Sequence, residues 1–185
     1  MAATQHAQQI KQDSQTYLTT ALLQLLETHD LNTLSVTQVV KRAGVSRMAF
    51  YRNFDTLADL LTAYFQPKLT ARFNDIVTGV PQAEKLTAIG QFFQELAPTL
   101  KLAERRGFEG IIQQIFNQNM EDFYQTILAE TPLTSVQQRY WTKFMSAGVY
   151  AIWREWLLTG QRESLSTIHD LIAGFQRQTM ASLQG

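Results

Sequence analysis

Arg47, Met48, Tyr51 and Arg52 recur at a spacing that puts them on one side of a helix, with Ala49, Phe50 and Phe54 on the other side beside Val45. The outward side is therefore basic and aromatic. Between Ser35 and Phe54 the chain carries Lys41, Arg42, Arg47 and Arg52 and no Asp or Glu, although its formal net charge is zero. Arginine pairs with guanine edges and tyrosine hydroxyls reach phosphate oxygens, so such a helix suits the major groove of duplex DNA. Neutrality over the whole chain argues against a sequence-blind polyanion binder, which is basic throughout.

The residues just before this helix are those that would hold it rigidly. Ser35 is a good N-cap and Gln38, three residues on, completes a capping box, so a helix starts near Val36. Val36, Val39, Val40 and Ala43 form its apolar face, with Thr37, Gln38, Lys41 and Arg42 outside it. Gly44 ends the helix by tolerating a left-handed conformation, Val45 returns to the core, and Ser46 caps the next helix at once. So short a turn permits only two crossed helices, a helix-turn-helix.

This run resembles the N-terminal DNA-binding domain of the TetR-type transcriptional regulators. The resemblance rests on the Ser-Val-Thr entry at 35–37, the Ala-Gly-Val-Ser turn at 43–46, the Phe50–Tyr51 pair, and Phe54 followed by Leu60 and Leu61. It implies an all-α chain, with a three-helix DNA-binding domain over 1–54 and a C-terminal helical effector-binding and dimerisation domain over 55–185. It further implies that Arg47, Met48 and Thr37 meet base edges while Ser46, Tyr51, Arg52 and Asn53 fix the DNA backbone, Ser35 and Gln38 completing the set. One departure is Leu57, where the family commonly has a lysine. Each lost phosphate contact lowers the salt slope of binding by about 0.9.

The 185 residues permit one or two domains with a sizeable core. There is no cysteine, so no disulfide, thiolate nucleophile or thiolate metal site is expected. His6, His29 and His169 are scattered, so neither a metal nor any other cofactor is expected. The polar N-terminus lacks the pattern of a secretory signal and no run is long enough to span a bilayer, which places the protein in the cytoplasm.

Residues 1 to 9 are expected to fray, followed by a helix from Ile10 to Glu27 on Tyr17, Leu18, Ala21, Leu22, Leu25 and Leu26. Asp55 or Thr56 caps a fourth helix, which Pro67 should kink or break, making a hinge between the domains. The periodicity predicts helices over 82–97, ended by Pro98, then a turn over 100–106, and longer helices over 108–129, 135–159 and 164–183. Glu121, Asp122 and the Glu104–Arg106 cluster read as solvated faces.

In the helix over 135–159, Tyr140, Phe144, Gly148, Ile152 and Trp156 form one apolar row, with a second row beside it. Together with the last helix this surplus suggests a homodimer through a four-helix interface, and hence a pseudo-palindromic operator. Phe93, Phe116, Met120, Phe123, Tyr140 and Phe144, drawn from three helices, could surround one apolar cavity for a small apolar or aromatic effector. The expected function is a ligand-released repressor without enzymatic activity. The alternative is a co-regulator or activator controlled through its C-terminal domain by a protein partner; a helical enzyme is disfavoured by the lack of paired carboxylates or histidines.

Overall fold

The helix-turn-helix is closed at each of its ends by the signals read above. The Ser35 side chain accepts from Gln38 N at 3.3 Å while Gln38 Oε1 accepts from Ser35 N at 2.8 Å. Gly44 adopts φ 68°, ψ 25°, and Val45 N donates back to Val40 O at 3.1 Å, so the first helix stops within one residue. Ser46 Oγ then accepts from Ala49 N at 3.1 Å to start the second.

A computed structural model describes residues 2–184, leaving aside the side chains of residues 2–11 and of Gln82. Among the described residues there are eight α-helices and no strand. They are α1 (Ala2–Leu26), α2 (Val36–Ala43), α3 (Arg47–Tyr51), α4 (Leu57–Gly79), α5 (Lys85–Arg106), α6 (Glu109–Leu128), α7 (Ser135–Leu158) and α8 (Leu165–Gln184). Short 3-10 turns lie at Leu31–Thr33 and Gln82–Glu84. The fold is all-α, as the periodicity predicts.

Several expectations are corrected. The first helix begins at Ala2, where fraying was expected up to about residue 9. Pro98 does not end its helix, since it lies inside α5, which runs on to Arg106, and Pro67 likewise lies inside α4 without breaking it. In both cases the proline and the residue four before it, Ala63 or Gln94, are exposed, so water can meet the carbonyl that the missing N–H leaves unpaired. Tyr17, expected in the apolar stripe of α1, is exposed, while Leu18, Ala21, Leu22 and Leu26 are buried.

Two compact units result: Met1–Pro67 with Leu102–Ile112, and Lys68–Lys101 with Gln113–Gly185. In the first, α1 packs on α2 and α3. Its core holds Leu18, Leu22, Val39, Phe50, Leu60, Leu61 and Phe108, and Phe65 stacks on Phe108 with ring centroids 6.0 Å apart. A Thr56–Asp59 capping box starts α4, Thr56 N donating to Asp59 Oδ2 at 2.7 Å and Asp59 N to Thr56 Oγ1 at 3.1 Å. Arg106 closes this unit. Its Nη2 donates to Glu27 O at 2.6 Å and its Nη1 pairs with Asp30 Oδ1 at 3.2 Å, a cation set just beyond the C-terminus of α1, where the helix dipole favours one. Arg106 therefore does not belong to a solvated face.

The second unit is built round aromatic rings. Phe93 meets Phe116 edge-on at 4.6 Å and stacks on Trp153 at 5.9 Å, and Phe73 touches Phe116 and Phe123 at 6.0 and 6.4 Å. Helix α7, opened by a Thr134–Gln137 capping box, packs on α8. Trp141 Nε1 donates to Thr179 Oγ1 at 3.0 Å, and Gln176 Nε2 donates to the buried Tyr124 hydroxyl. Glu121, expected to be solvated, is mostly buried and paired with Lys143 at 2.6 Å.

Candidate nucleic-acid interface

Helix α3 is five residues long, and its side chains divide sharply. Phe50 is buried with Phe54, their rings 5.8 Å apart, while Arg47, Met48, Tyr51 and Arg52 are exposed. Phe50 also holds the Tyr51 ring edge-on at 5.3 Å, so the exposed tyrosine stands on a core residue. The Arg47 guanidinium lies 5.8 Å from the Tyr51 ring centroid, a cation–π approach that orients it along the outer face. Asn53 Nδ2 donates to Ala49 O at 2.9 Å, fastening the end of the helix.

The remaining candidates fall into two groups. Thr37 is exposed on α2. Ser35 and Gln38 are exposed but tied to each other, since Ser35 Oγ also donates to Gln38 Oε1 at 2.8 Å. Ser46 similarly serves as a cap. Ser35, Gln38 and Ser46 hold α2 and α3 in place, whereas Thr37, Arg47, Met48, Tyr51 and Arg52 are the ones presented. Arg42, one of the basic residues of the segment, is turned onto α1, its Nε donating to Gln24 Oε1 at 2.9 Å. Leu57 is buried and adds to the core of the unit.

The candidate effector residues do not all come together. Phe93, Phe116, Met120 and Phe123 are buried in the second unit. Tyr140 and Phe144 are 63% and 64% exposed and stand apart from them on α7. Phe144 instead borders an apolar groove of about 300 Å³ between α7 and α8, with Val149, Ile152, Ile172 and Phe175. Leu171 and Phe175 on α8 are exposed as well. Among the described residues no group of His, Cys, Asp and Glu is placed to hold a metal ion, and no helix is long and apolar enough to cross a membrane.

The sequence model of the bacterial regulatory proteins of the tetR family matches residues 18–64, the stretch that contains α2 and α3. No curated protein matches the chain in sequence. Several solved structures share its fold. The dihydroxyacetone kinase operon activator DhaS is 15% identical with a TM-score of 0.52, over 92% of this chain and 96% of that one. The TetR family repressor AlkX from Dietzia sp. strain DQ12-45-1b is 19% identical with a TM-score of 0.50, over 90% and 95%. NalD, the secondary repressor of the MexAB-OprM multidrug efflux pump in Pseudomonas aeruginosa, is 16% identical with a TM-score of 0.53, over 91% and 96%. At these identities the likeness concerns the fold alone.

Proposed function

The chain is a TetR-type regulator by its N-terminal domain, and on that premise we propose that it binds a pseudo-palindromic operator as a homodimer, represses from it, and is released by a small molecule. The observation that carries this reading is the outer face of α3, where Arg47, Met48, Tyr51 and Arg52 are presented together by a helix-turn-helix capped by Ser35, Gly44 and Ser46. Arg47, Met48 and Thr37 meet base edges. Tyr51, Arg52 and Asn53 lie against the sugar-phosphate backbone, and Ser35, Gln38 and Ser46 hold the two helices at their working angle.

Dimerisation through α7 and α8 is supported by the exposed Tyr140, Phe144, Leu171 and Phe175 and by the apolar groove between the two helices. A second copy covering this strip removes from water an apolar area of the kind that marks interfaces. The pair then offers reading helices to half-sites about one helical turn apart. The effector enters among Phe93, Phe116, Met120 and Phe123, where the buried Trp153 Nε1 has no hydrogen-bond partner and an acceptor on the ligand satisfies it. Ligand and DNA need only favour different geometries of the dimer for each to weaken the other, with α4 flexing at Pro67. The protein acts in the cytoplasm, where the operator is.

Selection of bound duplexes from a randomised pool tests the reading. An enriched inverted repeat supports it. Retention that varies with salt but enriches no sequence would sink it. The second half of the proposal is read separately, by sedimentation: Phe144→Glu, which sets a carboxylate on the apolar strip, is expected to give monomers where the parent gives dimers.

A further inference from the structure

We infer that Met48 reads the 5-methyl group of a thymine in each operator half-site, so that the specificity of this chain has an apolar component beside the arginine one. The inference rests on the operator-binding reading above. Met48 is 75% exposed, the highest value among the exposed large apolar side chains of the described residues. The others lie on α1, α6, α7 and α8 or, with Tyr51, carry a polar tip; Met48 stands on α3 between Arg47 and Arg52. Such a side chain contributes nothing to contacts with phosphates, which need donors. It is also not needed by the core, since Phe50 and Phe54 fill the inner side of the same segment.

Thymine is the base that places an apolar group in the major groove, its C5-methyl. A thioether pressed against that methyl removes apolar surface of both partners from water. Against the amino group of cytosine or adenine, or the carbonyl of guanine, the same side chain would displace water without returning a hydrogen bond, and the mismatch costs binding. Met48 therefore selects for thymine and against the other bases at one position. Its unbranched chain lets the sulfur settle against the methyl without a fixed rotamer. The Arg47 guanidinium lies 5.8 Å from the Tyr51 ring centroid, and Met48 is exposed beside it on the same short helix.

The test starts from the inverted repeat that the full-length chain selects. Each thymine of the half-site is replaced by uracil in both halves in turn; the exchange keeps every hydrogen-bonding atom and removes only the methyl. One position is expected to weaken binding about fourfold per half-site, and so about fifteenfold for the dimer, the factor a buried methyl group supplies. Met48→Ala, a change on an exposed side chain, should bind thymine and uracil operators alike. With cytosine placed at the same position, 5-methylcytosine should bind the parent more tightly than cytosine. Specific binding that ignores uracil at every thymine overturns the inference while leaving the regulator reading intact, as does a uracil penalty that survives in Met48→Ala. A pool that enriches no repeat overturns both.

Discussion

Alanine at position 90 tests how tightly the second unit is packed. A Cβ built on Gly90 lies 2.5 Å from Cη2 and 2.9 Å from Cζ2 of Trp153, and 2.8 Å from Cδ1 of Leu165. Carbon atoms prefer about 3.5–4.0 Å. The leucine methyl can turn aside, but the indole cannot. Trp153 is fully buried, stacked on Phe93 at 5.9 Å and edge-on to Trp156 at 5.5 Å. Overpacking of this kind costs about 1–3 kcal/mol, and two ring contacts below 3 Å place it near the upper value. Alanine restores about 1 kcal/mol of helix propensity over glycine. The net loss is about 2 kcal/mol, a fall in melting temperature of about 4–8 °C for a chain of this size. The control is Gly110→Ala in the first turn of α6, where nothing lies within 4 Å of the added Cβ, and which should gain about 0.5–1 kcal/mol. Both are measured by urea unfolding followed by circular dichroism, at one protein concentration because the midpoint of a chain that associates depends on it. If Gly90→Ala is as stable as the parent, the close approach of α5 to Trp153 is wrong.

Arg106→Ala should destabilise the first unit by about 2 kcal/mol, since it removes a charge-assisted bond to the Glu27 carbonyl together with the Asp30 ion pair; an unfolding midpoint equal to that of Arg105→Ala would contradict this. Burial pushes the Tyr124 phenol well above the ordinary tyrosine range, the hydrogen bond from Gln176 working the other way. In the unfolded chain this group ionises near pH 10 while in the folded chain it stays neutral, so its contribution is intact below that pH and is lost as pH rises beyond it. Stability should therefore fall more steeply above pH 10 in the parent than in Tyr124→Phe, as read from unfolding midpoints between pH 8 and 11; parallel curves would refute it. Ser35→Ala, which opens the capping box of α2, should cost about 1 kcal/mol and weaken operator binding with it, both measured on the same preparation.

Much of the first unit is legible in the sequence because its determinants are local. Ser35 with Gln38, Gly44, and Ser46 each satisfy backbone groups a few residues away, and each does so in the structure. The inward placing of Phe50 and Phe54 against the outward Met48 and Tyr51 follows from helical period alone. What periodicity does not convey is which apolar strip the same chain covers. Helix α7 is apolar on two adjoining rows; the row with Trp141, Met145, Val149 and Trp153 is buried, and Tyr140 and Phe144 on the other are exposed. Only the packing of α7 against its neighbours decides between them. Prolines mislead for a related reason: their local cost at Pro67 and Pro98 is outweighed when the rest of a long helix is anchored and the proline faces solvent. Arg106 and Glu121 stand in charged runs typical of solvated faces, and their partners, Glu27 and Asp30 for one and Lys143 for the other, are distant in sequence.

The measurement that tests the central claim most directly is the ratio of affinities for the selected operator and for a scrambled duplex, taken by fluorescence anisotropy at several salt concentrations with the parent, Arg47→Ala and Arg52→Ala. A reading helix predicts a parent ratio of about 10³ or more. Arg47→Ala should cut that ratio at least about tenfold by losing a base contact, whereas Arg52→Ala should weaken both duplexes together and flatten the salt dependence. A parent ratio near one, or an unchanged ratio in Arg47→Ala, would contradict the claim that α3 reads sequence.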